Sequence, residues 1–192
     1  MDREHWSELA ALLQVGHLPF DAGLTDEEVE RVERKYAFRF PPDLRAFLQI
    51  VTPANIGFHD WRDGNEAGLR EMLDWPLIGC LFDVEHTDFW LPEWGIRPAS
   101  LSDALKIATE KVNEAPKLIP IYSHRFIPEE PYEAGNPVLS VYQTDIIYYG
   151  FDLDDYLRHE FNLPGRRVWP EQVRPIRFWD PDRFQNLRLM EN

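Results

Sequence analysis

Two histidine and carboxylate pairs, His59 with Asp60 and His86 with Asp88, carry residue types that ligate divalent metals. A helix-borne metal site needs i, i+4 spacing and a third ligand nearby, and neither pair has them. Both pairs therefore read as surface or hydrogen-bonded structural histidines, and neither a metal nor a cofactor is expected. The run IYSHRF is the next candidate, because strand alternation puts Tyr122 and His124 on one face. Facing a carboxylate such as Asp145, His124 could accept a proton. Proton-transfer catalysis also needs a nucleophile and a group to stabilise developing charge, and none is identifiable. Ligand contact and structural hydrogen bonding are the other roles open to His124. The chain lacks the local signatures of phosphate-cradling loops, zinc proteases and serine-elbow hydrolases. No catalytic residue is assigned, and the chain is read as a non-enzyme.

Aromatic residues beside charge form the second set. Trp61 with Arg62, and Trp75, Trp90 and Trp94, are side chains of the kind that dominate interface hot spots, although each could equally be core. If the chain binds a small ligand, a groove between helices and sheet is the expected place. Its expected lining is Trp61, Arg62, Asp63, His124, Tyr142, Gln143 and Asp145.

The elements that must position these residues follow from periodicity. Trp6, Leu9, Leu12 and Leu13 predict a helix over about 3 to 14, with Gly16 to stop it. Thr25 and Glu28 form a capping-box pattern before Val29, Val32 and Tyr36, and Pro42 opens a third helix through Leu44, Phe47, Leu48 and Val51. Residues 52 to 63 read as loop and short strand. A helix near Glu66 to Leu73 is expected to end before Pro76, leaving PLIGCLFDV as a buried strand. A further helix covers about Ser102 to Asn113. The runs KLIPIYS, NPVLSVYQ and DIIYY then predict three neighbouring antiparallel strands, with Gln143 and Thr144 at the final turn. Asp152 caps a last helix through Leu153, Tyr156, Leu157 and Phe161, and a proline-rich tail anchored by Trp169, Phe178 and Trp179 is expected to lie extended. No repeat or linker divides residues 1–192, so one α+β domain is expected, with helices packed on one mostly antiparallel sheet.

Charge limits the partners. The formal charge is −14, of which residues 1–165 carry −16 and residues 166–192 carry +2. Such a surface repels phosphate backbones and anionic lipid, so neither nucleic acid nor membrane is an expected partner, whereas a basic protein is attracted. The charge would also serve solubility alone. Cys80 is the single cysteine and lies in an apolar run, which reads as a buried structural thiol in a reducing compartment. With no secretory pattern at its start and no long apolar stretch, the chain reads as cytoplasmic.

Five segments, in order, carry a resemblance. They are LTDEEVERVERKYAFRFPPDLRAFLQIV at 24 to 51, WR at 61 and 62, FWLPEWGIRP at 89 to 98, LIPIYSHRFIP at 118 to 128, and GNPVLSVYQTDIIYYGFDLDDYL at 135 to 157. Together they resemble the SUKH superfamily, which includes bacterial immunity proteins and fungal regulators of cell-wall assembly. The resemblance covers about residues 24 to 161 and leaves 1 to 23 and 162 to 192 as extensions. Many relatives have a glycine-rich turn where this chain has Thr52, Pro53, Ala54, Asn55, Ile56 and Gly57. The resemblance implies a helix-on-sheet α+β fold and a protein-binding role, most concretely neutralisation of a toxin, often a basic nuclease. A small-ligand sensor or enzyme using the groove, and an adaptor with an internal partner, are the alternatives.

Overall fold

A computed structural model describes residues 2–15, 19–53, 57–165 and 167–184 of the chain. Gly16 and residues 54–56 of the Thr52 to Gly57 turn lie outside the described residues. Helix α1 (Arg3–Val15) buries Trp6, Leu9, Ala10 and Leu13 along one stripe, as the spacing predicts. Strand β1 (Phe20–Ala22) follows, then α2 (Asp26–Tyr36), α3 (Pro42–Leu48) and β2 (Val51–Pro53). The capping box forms. Thr25 Oγ1 accepts from the Glu28 amide at 3.2 Å, and the Glu28 carboxylate accepts from the Thr25 amide at 2.9 Å. Strands β1 and β2 pair antiparallel as a separate two-stranded sheet, with Phe20 opposite Pro53 and Ala22 opposite Val51.

Helix α4 (Glu66–His86) corrects the sequence expectation. It runs through Pro76, and the PLIGCLFDV segment is helical where a strand was expected. Proline removes one N–H from the helical ladder, a local penalty that burial on both sides of it outweighs. Pro76, Gly79, Cys80, Asp83 and Val84 are buried at helical spacing. That period is masked in the sequence because the outward stripe, with Ile78 and Phe82, is apolar as well.

After a 3₁₀ turn at Pro92–Trp94 come α5 (Leu101–Asn113), capped by Ser100, and a four-stranded antiparallel meander. Its strands are β3 (Leu118–Tyr122), β4 (Arg125–Pro128), β5 (Val138–Tyr142) and β6 (Asp145–Gly150), in that spatial order. Strand β4 was not expected, so KLIPIYS is separated from NPVLSVYQ by one strand. The β3–β4 turn at Ser123 and His124 has none of the glycine, asparagine or aspartate that two-residue hairpins favour, although Ser123 has φ of 49°. Helix α6 (Leu153–Glu160) closes the regular structure, with the Asp152 carboxylate accepting from the Asp155 amide at 2.9 Å.

The meander packs on both faces, and helices cover each side, with the edge strand β6 the least covered. Ile119, Ile121, Ile127 and Val138 pack with α1, α2, α3 and α6 in one core. Leu118, Phe126, Leu139, Val141 and Ile146 pack with α4, α5 and the tail in another. From the tail, Ile176, Phe178, Trp179 and Phe184 are buried, and Trp179 Nε1 donates to the Pro116 carbonyl at 2.6 Å. Trp169 is partly exposed and lies edge-on to Phe151, with ring centroids 5.9 Å apart.

One ion pair ties the capping box to the β1–β2 sheet. Arg62 donates to Glu28 at 2.7 Å and to the carbonyls of Ala22 and Gly23 at 3.0 Å each. The Arg62 hydrogen bond, followed by that of the Thr25 amide, holds the Glu28 carboxyl down at about 2, against an ordinary 4.5. A depressed carboxylate stabilises the fold above its unfolded pKa, and that contribution disappears as pH falls through the folded value. Glu28→Gln is therefore expected to lower the urea midpoint at pH 7, with the gap to the parent closing between about pH 4.5 and 2. A gap independent of pH over that range would contradict the assignment.

Candidate functional site

The outward face of α4 is the most distinctive exposed surface among the described residues. Trp75, Ile78 and Phe82 recur at i, i+3 and i+7 and so share one stripe. Ile78 is 53% and Phe82 44% exposed. Beside them the β5–β6 turn presents Tyr142, 58% exposed. A dent of about 120 Å³ lies between helix and turn, lined by Trp75, Ile78, Gly79, Phe82, Tyr142 and Gln143.

Three features hold helix and turn together. The Asp83 carboxylate, buried at 3% exposure, accepts from the Thr144 amide at 3.0 Å and from the Thr144 hydroxyl at 2.5 Å. Trp75 Nε1 donates to the Val141 carbonyl at 3.0 Å. Gly79 lets the backbones touch, since a Cβ there would lie 2.7 Å from Gln143 Cα. Gln143 itself takes φ of 55°, the left-handed conformation the two-residue turn requires.

Histidines flank this face. His86 stacks on Phe82 with centroids 4.2 Å apart and its Nδ1 is 2.9 Å from the Phe82 carbonyl. At the other side His124 lies edge-on to Tyr142, centroids 6.5 Å apart. Burial, then the charge of Arg125, pushes the His124 pKa below the usual imidazole value. The His124 ring is therefore placed to extend the apolar face.

The seven residues expected to line a groove fall into two places. Tyr142 and Gln143 line the dent, His124 sits against Tyr142, and exposed Asp145 pairs with Tyr142 across the turn. Trp61, Arg62 and Asp63 belong to the N-terminal half. Trp61 is buried edge-on to Tyr36, Phe38 and Phe40, and Arg62 is engaged with Glu28. Exposed Asp63 donates its amide to Asp60 Oδ1 at 3.1 Å. Ile78 and Phe82 were not singled out from sequence, because their segment was read as a buried strand.

A second cleft, of about 190 Å³, lies between α2, α4, α5 and the tail. Arg70, Asp74, Asn113 and Lys117 supply its polar groups. Lys117 Nζ already donates to the Tyr36 carbonyl at 3.3 Å and to that of Ala37, and Arg70 to Glu66 at 2.8 Å. Among the described residues no group of three or more His, Cys, Asp or Glu is placed to hold a metal, and no helix is long and apolar enough to cross a membrane.

No family model, curated protein or solved structure matches the chain.

Two outcomes are expected. Asp83→Ala leaves the Thr144 amide and hydroxyl buried without an acceptor and is expected to cost about 2–3 kcal/mol in urea unfolding, with Gly79→Val similarly damaging. An unfolding free energy within about 0.5 kcal/mol of the parent would show that the helix does not depend on this anchor. Cys80 is fully buried, and burial, then the Asp83 charge, pushes its thiol up to about 12. A thiol-reactive chromophore at pH 8 should leave it untouched until denaturant is added; rapid labelling of the native chain would contradict this.

Proposed function

We propose that this chain is a non-enzymatic protein-binding module, most concretely a cytoplasmic immunity protein that blocks the active or substrate-binding surface of a basic toxin domain. One observation carries the reading: a rigidly held apolar face, centred on Ile78, Phe82 and Tyr142, on a chain of formal charge −14. Exposed aromatic and aliphatic side chains beside carboxylates suit a partner with an apolar centre and a cationic surround. The long-range field would steer such a partner, with association rates up to about 10⁸–10⁹ M⁻¹s⁻¹ at low salt. The ordered segments that resemble the SUKH superfamily support the same reading, through the helix-on-sheet domain and binding role that the resemblance implies.

The small-ligand alternative receives less support. The clefts of about 190 and 120 Å³, and one of about 250 Å³ lined by Pro42, Asp43, Ala134 and Gly135, all fall below the roughly 300 Å³ at which ligand pockets begin. An adaptor with an internal partner would use the same face, and a toxin gene adjacent to this one would separate immunity from that role.

The test is a pull-down with tagged full-length protein in lysate of its own organism, washed at low and then high salt, with mass-spectrometric identification. A basic toxin fragment released by salt is the expected result. Recovery of nothing above background from the wild-type protein would sink the protein-binding reading.

A further inference from the structure

The outward stripe of α4 extends beyond its apolar centre. Glu71 lies four residues before Trp75, and Glu85 lies three after Phe82, so both fall on the same helix face and both are exposed. Asp74 is exposed beside Trp75. The stripe therefore reads acid, apolar, acid over the 14 steps from Glu71 to Glu85, about 21 Å at 1.5 Å per residue.

We propose that this stripe seats an amphipathic helix of the partner. That helix would be apolar at its centre, carry Lys or Arg near both ends, and place one apolar side chain in the dent beside Tyr142. The inference rests on the protein-binding reading and names its partner chemistry. A helix is the matching shape because the stripe is straight, helical in period and about four turns long, so apolar ridges can interlock along its length. The face belongs to a helix and not to a sheet edge, so no unpaired backbone row is present to add a strand. The dent, at about 120 Å³, is of the order of a single large apolar side chain. Charge selects against self-association: a second copy packed antiparallel on this face would set Glu71 against Glu85 at both ends. Charge also selects against anionic lipid.

The experiment pans the immobilised full-length protein against displayed peptides of about five helical turns on an alanine-rich framework, with the face-forming positions randomised. Enriched sequences are expected to carry apolar residues at i, i+3 or i+4 and i+7, with Lys or Arg flanking them on both sides. The double variants Ile78→Asp with Phe82→Asp, and Glu71→Lys with Glu85→Lys, should each weaken the best peptide by about tenfold or more. Ile96→Asp, at a residue 97% exposed elsewhere, should change nothing. All these positions are exposed, and circular dichroism with thermal melting checks that the variants keep the parent fold.

The proposal is overturned if the enriched peptides lack basic ends or carry helix breakers, if no sequence is enriched, or if peptides bind the Ile78 and Phe82 double variant as well as the parent. The lysate pull-down separates this from failure of the broader reading. If the same native partner is recovered undiminished by that double variant, the stripe is not the contact and the protein-binding reading stands. If the wild-type protein captures nothing, the broader reading falls.

Discussion

The buried carboxylate of Asp83 is the constraint on which the arrangement of this protein turns. It sits on α4 and accepts both donors of Thr144 on the β5–β6 turn. A charge at that depth is tolerable only while its hydrogen bonds are made, so helix and hairpin must keep their register. Once they do, Gly79 meets Gln143, Trp75 reaches the Val141 carbonyl, and Ile78 and Phe82 are left facing out. The exposed apolar stripe is thus the geometric remainder of a buried polar contact.

A second polar network does similar work on the opposite side of the sheet. Asp154, almost fully buried, receives His5 from α1 at 3.0 Å and Arg158 from its own helix at 3.0 Å, while Arg167 of the tail pairs with Asp152. Helix α1 and the start of the tail are both tied to α6 by these contacts. Each core therefore has apolar packing for cohesion and a small set of buried carboxylates that fix which elements sit where.

Much of this was legible in the sequence, and the failures have identifiable causes. Thr25, Glu28, Pro42 and Asp152 mark helix starts because caps act through neighbouring residues only, and all four act as expected. The aromatic anchoring of the tail was legible because Phe178 and Trp179 cannot stay exposed cheaply. Pro76 misled because proline is a strong local signal, and the helix that overrides it is stabilised by partners distant in sequence. Strand β4 was missed because Ser123 adopts a left-handed turn without the glycine or asparagine that usually announces one. The candidate face was half legible. Tyr142, Gln143 and Asp145 stand at a turn that sequence could place, whereas Ile78 and Phe82 look like core residues until α4 is known to be a helix with one side unpartnered. Arg62 shows the converse, since charge beside Trp61 suggested a binding residue and the side chain instead joins β1 to the capping box.

The division of the interior into two cores has a consequence for how the protein comes into being. The core behind α4 takes Ile176, Phe178, Trp179 and Phe184 from the tail, whereas the core that holds α1, α2 and α3 draws its last apolar side chains from α6 and from Phe161 and Leu163 just after it. Synthesis runs from the amino end, so the first core has all its side chains well before the second. During translation α4 would lie over an unfinished apolar layer, with its outward stripe not yet backed by a fixed interior. The packing behind α4 is thus completed late, when the ribosome has delivered the tail, and a nascent chain stalled before residue 176 would be folded on one face of its sheet and open on the other.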